Sequence, residues 1–235
     1  METLKVETLI FDLDKKPLRE VNQFLHGDAK NLNGKSFSIE NPNGAHSIAV
    51  GLKADVHVTI KGHAGYYAAG MNQLAKVTIE GSAGSGVAEN MMSGIVHVKG
   101  FASNAAGATA NGGLLVIDGD AGLRCGISLK GADIVVGGSV GSFSAFMAQA
   151  GNMVILGDAG EGLGDSIYEA KLFVRGKVKS LGADCEVKTM DAESKQILVD
   201  LLAKSGHSDV KPESFTQYGS ARTLYHFHVD NAGAY

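Results

Sequence analysis

Short segments in which apolar and polar residues alternate recur along most of the chain, and each closes on a glycine. Val77 and Ile79 lie on one face of such a segment and Thr78 and Glu80 on the other, the period-two pattern of a half-buried strand. Equivalent apolar pairs occur at Val58 and Ile60, Val96 and Val98, Leu115 and Ile117, Ile134 and Val136, Met153 and Ile155, and Leu172 and Val174. The closing glycines, Gly62, Gly81, Gly100, Gly119, Gly138, Gly157 and Gly176, stand nineteen residues apart without a slip. A fixed period of that size marks a solenoid in which each repeat is one coil.

Two further columns sharpen the unit. The third residue after each closing glycine is again glycine at Gly65, Gly84, Gly122, Gly141 and Gly160, and Ser103 or Lys179 otherwise. The thirteenth is small at Ala75, Gly94, Gly113, Ala132, Gly151 and Ala170, as expected of corners where stacked backbones come close. Between the first two glycines a small or branched apolar residue recurs, Ala64, Ala83, Ala102, Ala121, Val140, Ala159 and Val178, and is expected to point inward. A left-handed hexapeptide β-helix would need an aliphatic residue every six positions, but stepping back from Ile79 meets Gln73 and then Tyr67. The pattern therefore predicts an all-β fold, a right-handed parallel β-helix of about seven coils over residues 36–187, with a rod length on the order of 34 Å at about 4.8 Å per coil.

Both open ends of such a rod need covering. Residues 1–35 are expected to form an N-terminal cap, with a strand at Leu9, Ile10 and Phe11 and one short amphipathic helix between Asp14 and Gly27, entered at Pro17 and apolar at Leu18, Val21, Phe24 and Leu25. Residues 188–235 are expected to hold a helix from Asp191 to Lys204, N-capped by Asp191 and followed by Gly206, and then an aromatic tail that includes Phe215, Tyr218, Tyr225, Phe227 and Tyr235. The outward position between each apolar pair changes along the rod, from Thr59, Thr78 and His97 to Val116, Val135, Val154 and Phe173. That apolar stripe calls for a cover, either the C-terminal helix of the same chain or a partner subunit.

Composition removes several functions. Of 235 residues, 32 are glycine and only 3 proline, a balance that suits ordered punctuation and neither collagen nor proline-rich disorder. A net charge of −4, with no run of Lys or Arg, offers no footprint for nucleic acid or an anionic membrane. The start lacks the apolar region of a signal peptide and no apolar stretch is long enough to span a bilayer, so a cytoplasmic location is expected. Cys125 and Cys185 sit in different repeats without a CxxC motif and are read as buried thiols. The glycine clusters at Gly84 to Gly86 and at Gly160 to Gly164 lack the helix that a phosphate-binding loop requires, and His226, His228 and Asp230 are too few to hold a metal. No catalytic, cofactor-binding or metal-ligating residue is assigned. Arg124 and Phe143, large where most coils carry small residues, are expected to contact a partner, together with Tyr225 and Phe227 of the tail.

The spacing Gly-x-x-Gly-x-x-x-Gly, complete at Gly119, Gly122, Gly126 and at Gly157, Gly160, Gly164, and nearly so at Gly138, Gly141, Ala145, resembles the repeated GXGXG motif of the C-terminal β-helix domain of the glutamate synthase large subunit. The flanks, Phe11 to Asn22 and Val229 to Tyr235, are similar to stand-alone members, most closely the GXGXG subunits of N-methylglutamate synthases. The resemblance implies a non-catalytic structural subunit that joins a glutaminase-like subunit to a synthase subunit carrying FMN and an iron–sulfur cluster. Such a complex would make N-methylglutamate from methylamine and glutamate. The start at Met1 and Glu2 offers no N-terminal cysteine nucleophile, and two cysteines fall short of a cluster's ligands, so the cofactors are expected in a partner. The alternatives are the equivalent β-helix subunit of formylmethanofuran dehydrogenase or of the formyltransferase/hydrolase complex and, more remotely, a free-standing solenoid transferase.

Overall fold

The computed structural model describes residues 8–223. Strand β1 (Thr8–Asp12) leads into helix α1 (Leu18–Leu25), the short helix α2 (Ala29–Leu32) and β2 (Ser36–Glu40). The repeats supply β3 (His57–Ile60), β4 (Lys76–Ile79), β5 (Ile95–Val98), β6 (Leu114–Ile117), β7 (Lys130–Val136), β8 (Ala150–Ile155) and β9 (Lys171–Val174). After β10 (Cys185–Lys188) come α3 (Ala192–Lys204), a 3-10 turn (Pro212–Ser214) and β11 (Thr216–Ser220). Strands β1 to β9 lie parallel in chain order, the pairing of a β-helix wound one coil per strand and consistent with a right-handed winding.

Register follows the glycine period. Val58, Val77, Val96, Leu115, Ile134, Met153 and Leu172 pair successively across the sheet, and all are buried. Ile60, Ile79, Val98, Ile117, Val136, Ile155 and Val174 form the second inward column. A third wall is a ladder of single bridges from Ala64 through Ala83, Ala102, Ala121, Val140 and Ala159 to Val178, which places the small residue between the first two glycines where the sequence predicts it. Small and branched side chains suffice because the inward columns face one another across a narrow interior.

Several of the closing glycines, Gly81, Gly157 and Gly176 most tightly, are required by backbone contact. A Cβ on Gly157 would stand 2.6 Å from the carbonyl carbon of Gly138, and one on Gly176 only 2.3 Å from the carbonyl oxygen of Gly157. The corner thirteen residues on has the same origin: a Cβ on Gly94 would meet the Ala75 oxygen at 2.4 Å, and one on Gly151 the Ala132 oxygen at 2.2 Å.

The ends depart from the simple period. Phe37 pairs with Val58 and Phe11 with Ile39, so the sheet continues two strands below the first glycine repeat, through longer coils. The extra residues between β1 and β2 form the cap. Two helices occupy it where one was expected, because Asp28 caps a second helical turn by accepting the Lys30 N–H at 3.0 Å. Val21 and Leu25 of α1 close the core, and Phe24 meets Phe11 and Phe37 edge-on. At the other end the sheet reverses: β11 runs antiparallel to β9, and β10 lies antiparallel on its far side.

Helix α3 lies across the outer face of the sheet. Leu198, Leu201 and Leu202, with Phe215, form a second buried cluster with Leu114, Val116, Val135, Val154 and Phe173. The chain thus covers its own apolar stripe. Asp191 caps α3 by accepting the Ser194 N–H at 2.7 Å, a bond that holds its carboxyl below the usual range. Gly206, at φ 85°, ends the helix, and the His207 N–H turns back to the Leu202 carbonyl at 2.7 Å. Beneath α3, burial pushes the Asp133 carboxyl up, opposed by the Asn152 amide at 2.8 Å and by Lys204.

Three outcomes are expected. Gly157→Ala lowers unfolding free energy by about 1–3 kcal/mol because backbone must move, whereas Ser142→Ala, on an exposed bond, stays within about 0.5 kcal/mol in the same denaturant titration. Leu201→Ala costs about 2–5 kcal/mol and speeds amide exchange along α3 before it affects β4 or β5. The raised Asp133 carboxyl keeps its proton to higher pH in the fold than in the unfolded chain, so stability falls as pH rises from the unfolded value to the folded one. Asp133→Asn should flatten that slope and leave the protein more stable at neutral pH; a slope unchanged in the variant would assign it to another group.

Candidate partner interface

Each coil has one face built from turns instead of strand. Counting from the closing glycine, residues five, seven and nine all adopt left-handed backbone, with φ from 52° to 71° between Tyr67 and Ser166. Their N–H groups alternate in direction. Phe143 donates to the Glu161 carbonyl of the next coil at 2.7 Å, Ala145 back to Cys125 at 2.8 Å, and Met147 forward again to Asp165 at 2.9 Å. The stack is therefore stitched in both directions, which accounts for its regularity.

The seventh position faces the core and is small in the first six coils: Ala69, Ala88, Gly107, Gly126, Ala145 and Gly164. A Cβ on Gly107 would stand 2.6 Å from Ile134 Cδ1, so strand side chains fill the space. The third glycine of the repeated motif is thereby explained, and the glycine clusters are packing devices of the coil. The fifth and ninth positions face outward. There the coils carry Tyr67 and Met71, Gly86 and Asn90, Ala105 and Thr109, Arg124 and Ser128, Phe143 and Met147, then Gly162 and Ser166.

Arg124 and Phe143, singled out by their size, stack in adjacent coils and are both exposed. The Phe143 ring lies over Gly162 and meets Phe146 edge-on at 6.4 Å between centroids. Leu123 and Met147, 50% and 38% exposed, and the half-buried Ile127 extend the surface. Arg124 makes no ion pair or side-chain hydrogen bond among the described residues. Tyr225 and Phe227 lie outside the described residues, as do His226, His228 and Asp230.

Other polar groups have structural duties that the sequence reading did not assign. Asp120 accepts the Ser139 N–H at 2.7 Å, Ser139 Oγ the Asp158 N–H at 3.0 Å, and Asp158 the Lys177 N–H at 2.7 Å, so side chains complete the ladder where backbone carbonyls do not. Asn22 fastens α1 to the first coil, donating to the Ser47 carbonyl at 2.9 Å and accepting the Ala49 N–H at 3.1 Å. The signal for these roles was the nineteen-residue separation of Asp120, Ser139, Asp158 and Lys177. Burial pushes the Cys125 thiol up to about 12 and the Cys185 thiol to about 11, the latter helped by Asp184 and Glu186, so both are poor nucleophiles. Among the described residues no three His, Cys, Asp or Glu side chains gather as a metal site, and no helix is long and apolar enough to cross a membrane.

No family model matches the chain. Protein GlxC of Rhizobium meliloti (strain 1021) is 58% identical to it over 226 residues, which is 96% of this chain and 99% of that protein. The chain belongs to the GlxC family. The likeness spans the cap, the coils and the covering helix, so the GlxC relative matches the β-helix together with the elements that close it.

Proposed function

We propose that the chain is a non-catalytic structural subunit of a glutamate-synthase-type complex, holding a glutaminase-like subunit and an FMN and iron–sulfur subunit in register. The finer assignment is N-methylglutamate synthase, which joins methylamine to the glutamate skeleton and releases ammonia. One observation carries the reading. Every glycine of the motif shared with the glutamate synthase β-helix has a packing role here: the first and second at close backbone approaches, the third where a strand side chain fills the core. The motif is thus a structural signature, and its match supports common architecture. Near full-length similarity to GlxC supports a β-helix that operates as a chain of its own.

The physical value of such a subunit is stiffness. An amine or ammonia intermediate passing between two active sites depends on their alignment, and a displacement of about 1 Å at a reacting centre can cost on the order of 10²-fold in rate. A rod stitched by parallel pairing and by two-way hydrogen bonds along its turn face resists such displacement. Isolation of the C-terminally tagged chain from its native host should recover stoichiometric partner chains and a visible spectrum with flavin and iron–sulfur absorption. Recovery of the chain alone and colourless would overturn the assignment.

A further inference from the structure

The turn face of coils four and five carries large side chains where the backbone least favours them. Arg124, Phe143 and Met147 have φ of 57°, 56° and 53°, in the left-handed region that suits glycine. The first coil carries Tyr67 and Met71 at the same outward positions, but other coils fill them with Gly86, Ala105, Gly162 and Ser166, so the coil itself needs no bulk there. Strain that the fold does not require points to a use outside the fold.

We propose that Leu123, Arg124, Ile127, Phe143, Phe146 and Met147 form the docking surface for a different subunit, one that presents a carboxylate beside an apolar hollow. The inference rests on the reading that the chain works inside a complex, and it names the face that meets a partner. Aromatic, methionine and arginine side chains around one point are the composition of an interface centre. Charge identifies the occupant. The nearby Glu161 is tied to Lys179 at 2.9 Å, while Arg124 makes no ion pair among the described residues. A carboxylate from outside completes the guanidinium in the planar geometry it favours. A second copy of this chain docked through a two-fold axis at Arg124 would oppose one guanidinium to another, which disfavours self-association through this face.

The test uses the tagged full-length chain in its native host, with the subunits that co-purify with the wild type as the probe. Arg124→Glu and Phe143→Gly are each expected to lower partner retention about tenfold or more while keeping the wild-type thermal midpoint. A photoreactive benzophenone side chain at position 143 should cross-link to a peptide of one partner that contains Asp or Glu. Full retention by both variants, or cross-links to other copies of this chain alone, would overturn the proposal. A cross-link to an acidic partner without flavin or glutaminase character would uphold the interface and remove the glutamate-synthase assignment. Failure of the wild type to retain any partner, with no cross-link, would remove both.

Discussion

Everything in this fold depends on backbone touching backbone at the closing glycine. With a Cβ at Gly157 the Gly138 carbonyl carbon would be 2.6 Å away, far inside any real contact, so the inter-coil spacing at this corner is fixed by the absence of a side chain. That spacing sets the strand pairing next to it, and the strand pairing sets which residues face inward. Val77 and Ile79 are core residues because Gly81 lets their coil sit directly on the one before it. A larger residue at Gly81, Gly157 or Gly176 would lift one corner, and parallel hydrogen bonds on both sides would stretch together. Hence the period tolerates no insertion between Gly62 and Gly176.

The same dependence explains what the sequence could reveal. Columns that meet identical surroundings in each coil hold a narrow set of residues, so the inward pairs, the bridge column from Ala64 to Val178 and the covered stripe from Val116 to Phe173 were readable at once. The left-handed positions were harder. Glycine is the usual sign of positive φ, yet Tyr67, Arg124 and Phe143 hold that conformation with full side chains, because the hydrogen bonds of adjacent coils impose it. Longer coils hid the period at the start, where Phe11, Ile39 and Ile60 share a column without sharing a spacing. The antiparallel return of β11 was hidden for a different reason: Thr216 to Ser220 takes its place from the open edge of β9, a tertiary demand with no local pattern. Arg124 and Phe143 stand out in the sequence by size alone, and the apolar surroundings of Ile127, Phe146 and Met147 emerged only from the stacking of two coils.

Two kinds of surface follow from this construction, and the chain treats them differently. On the sheet, strand side chains alternate, so an outward apolar column is a long stripe, and α3 covers it with Leu198, Leu201 and Leu202. The helix is capped at both ends by its own chain, by Asp191 at the start and by the Gly206 turn at the finish, so its position does not wait on another protein. The turn face of coils four and five keeps Arg124 and Phe143 exposed among the described residues. Its outward residues project singly from strained backbone, and their packing partners within the chain are few, chiefly Gly162 and Phe146 for Phe143.

That contrast bears on how a rigid rod can serve a complex. A stiff body transmits position only if its contact points are themselves fixed, and left-handed backbone does this well. Each such residue has little room to rotate about φ, and each N–H is tied to a neighbouring coil. A large left-handed residue costs about 1–2 kcal/mol relative to glycine, yet it projects its side chain from a backbone that cannot drift. The cost is tolerable because a stack of seven coils spreads it over a long core, and nearest-neighbour packing keeps it local. Arg124 and Phe143 therefore stand as fixed pegs on a ruler graduated by the glycines beside them. A partner that engages them acquires the register of the whole rod.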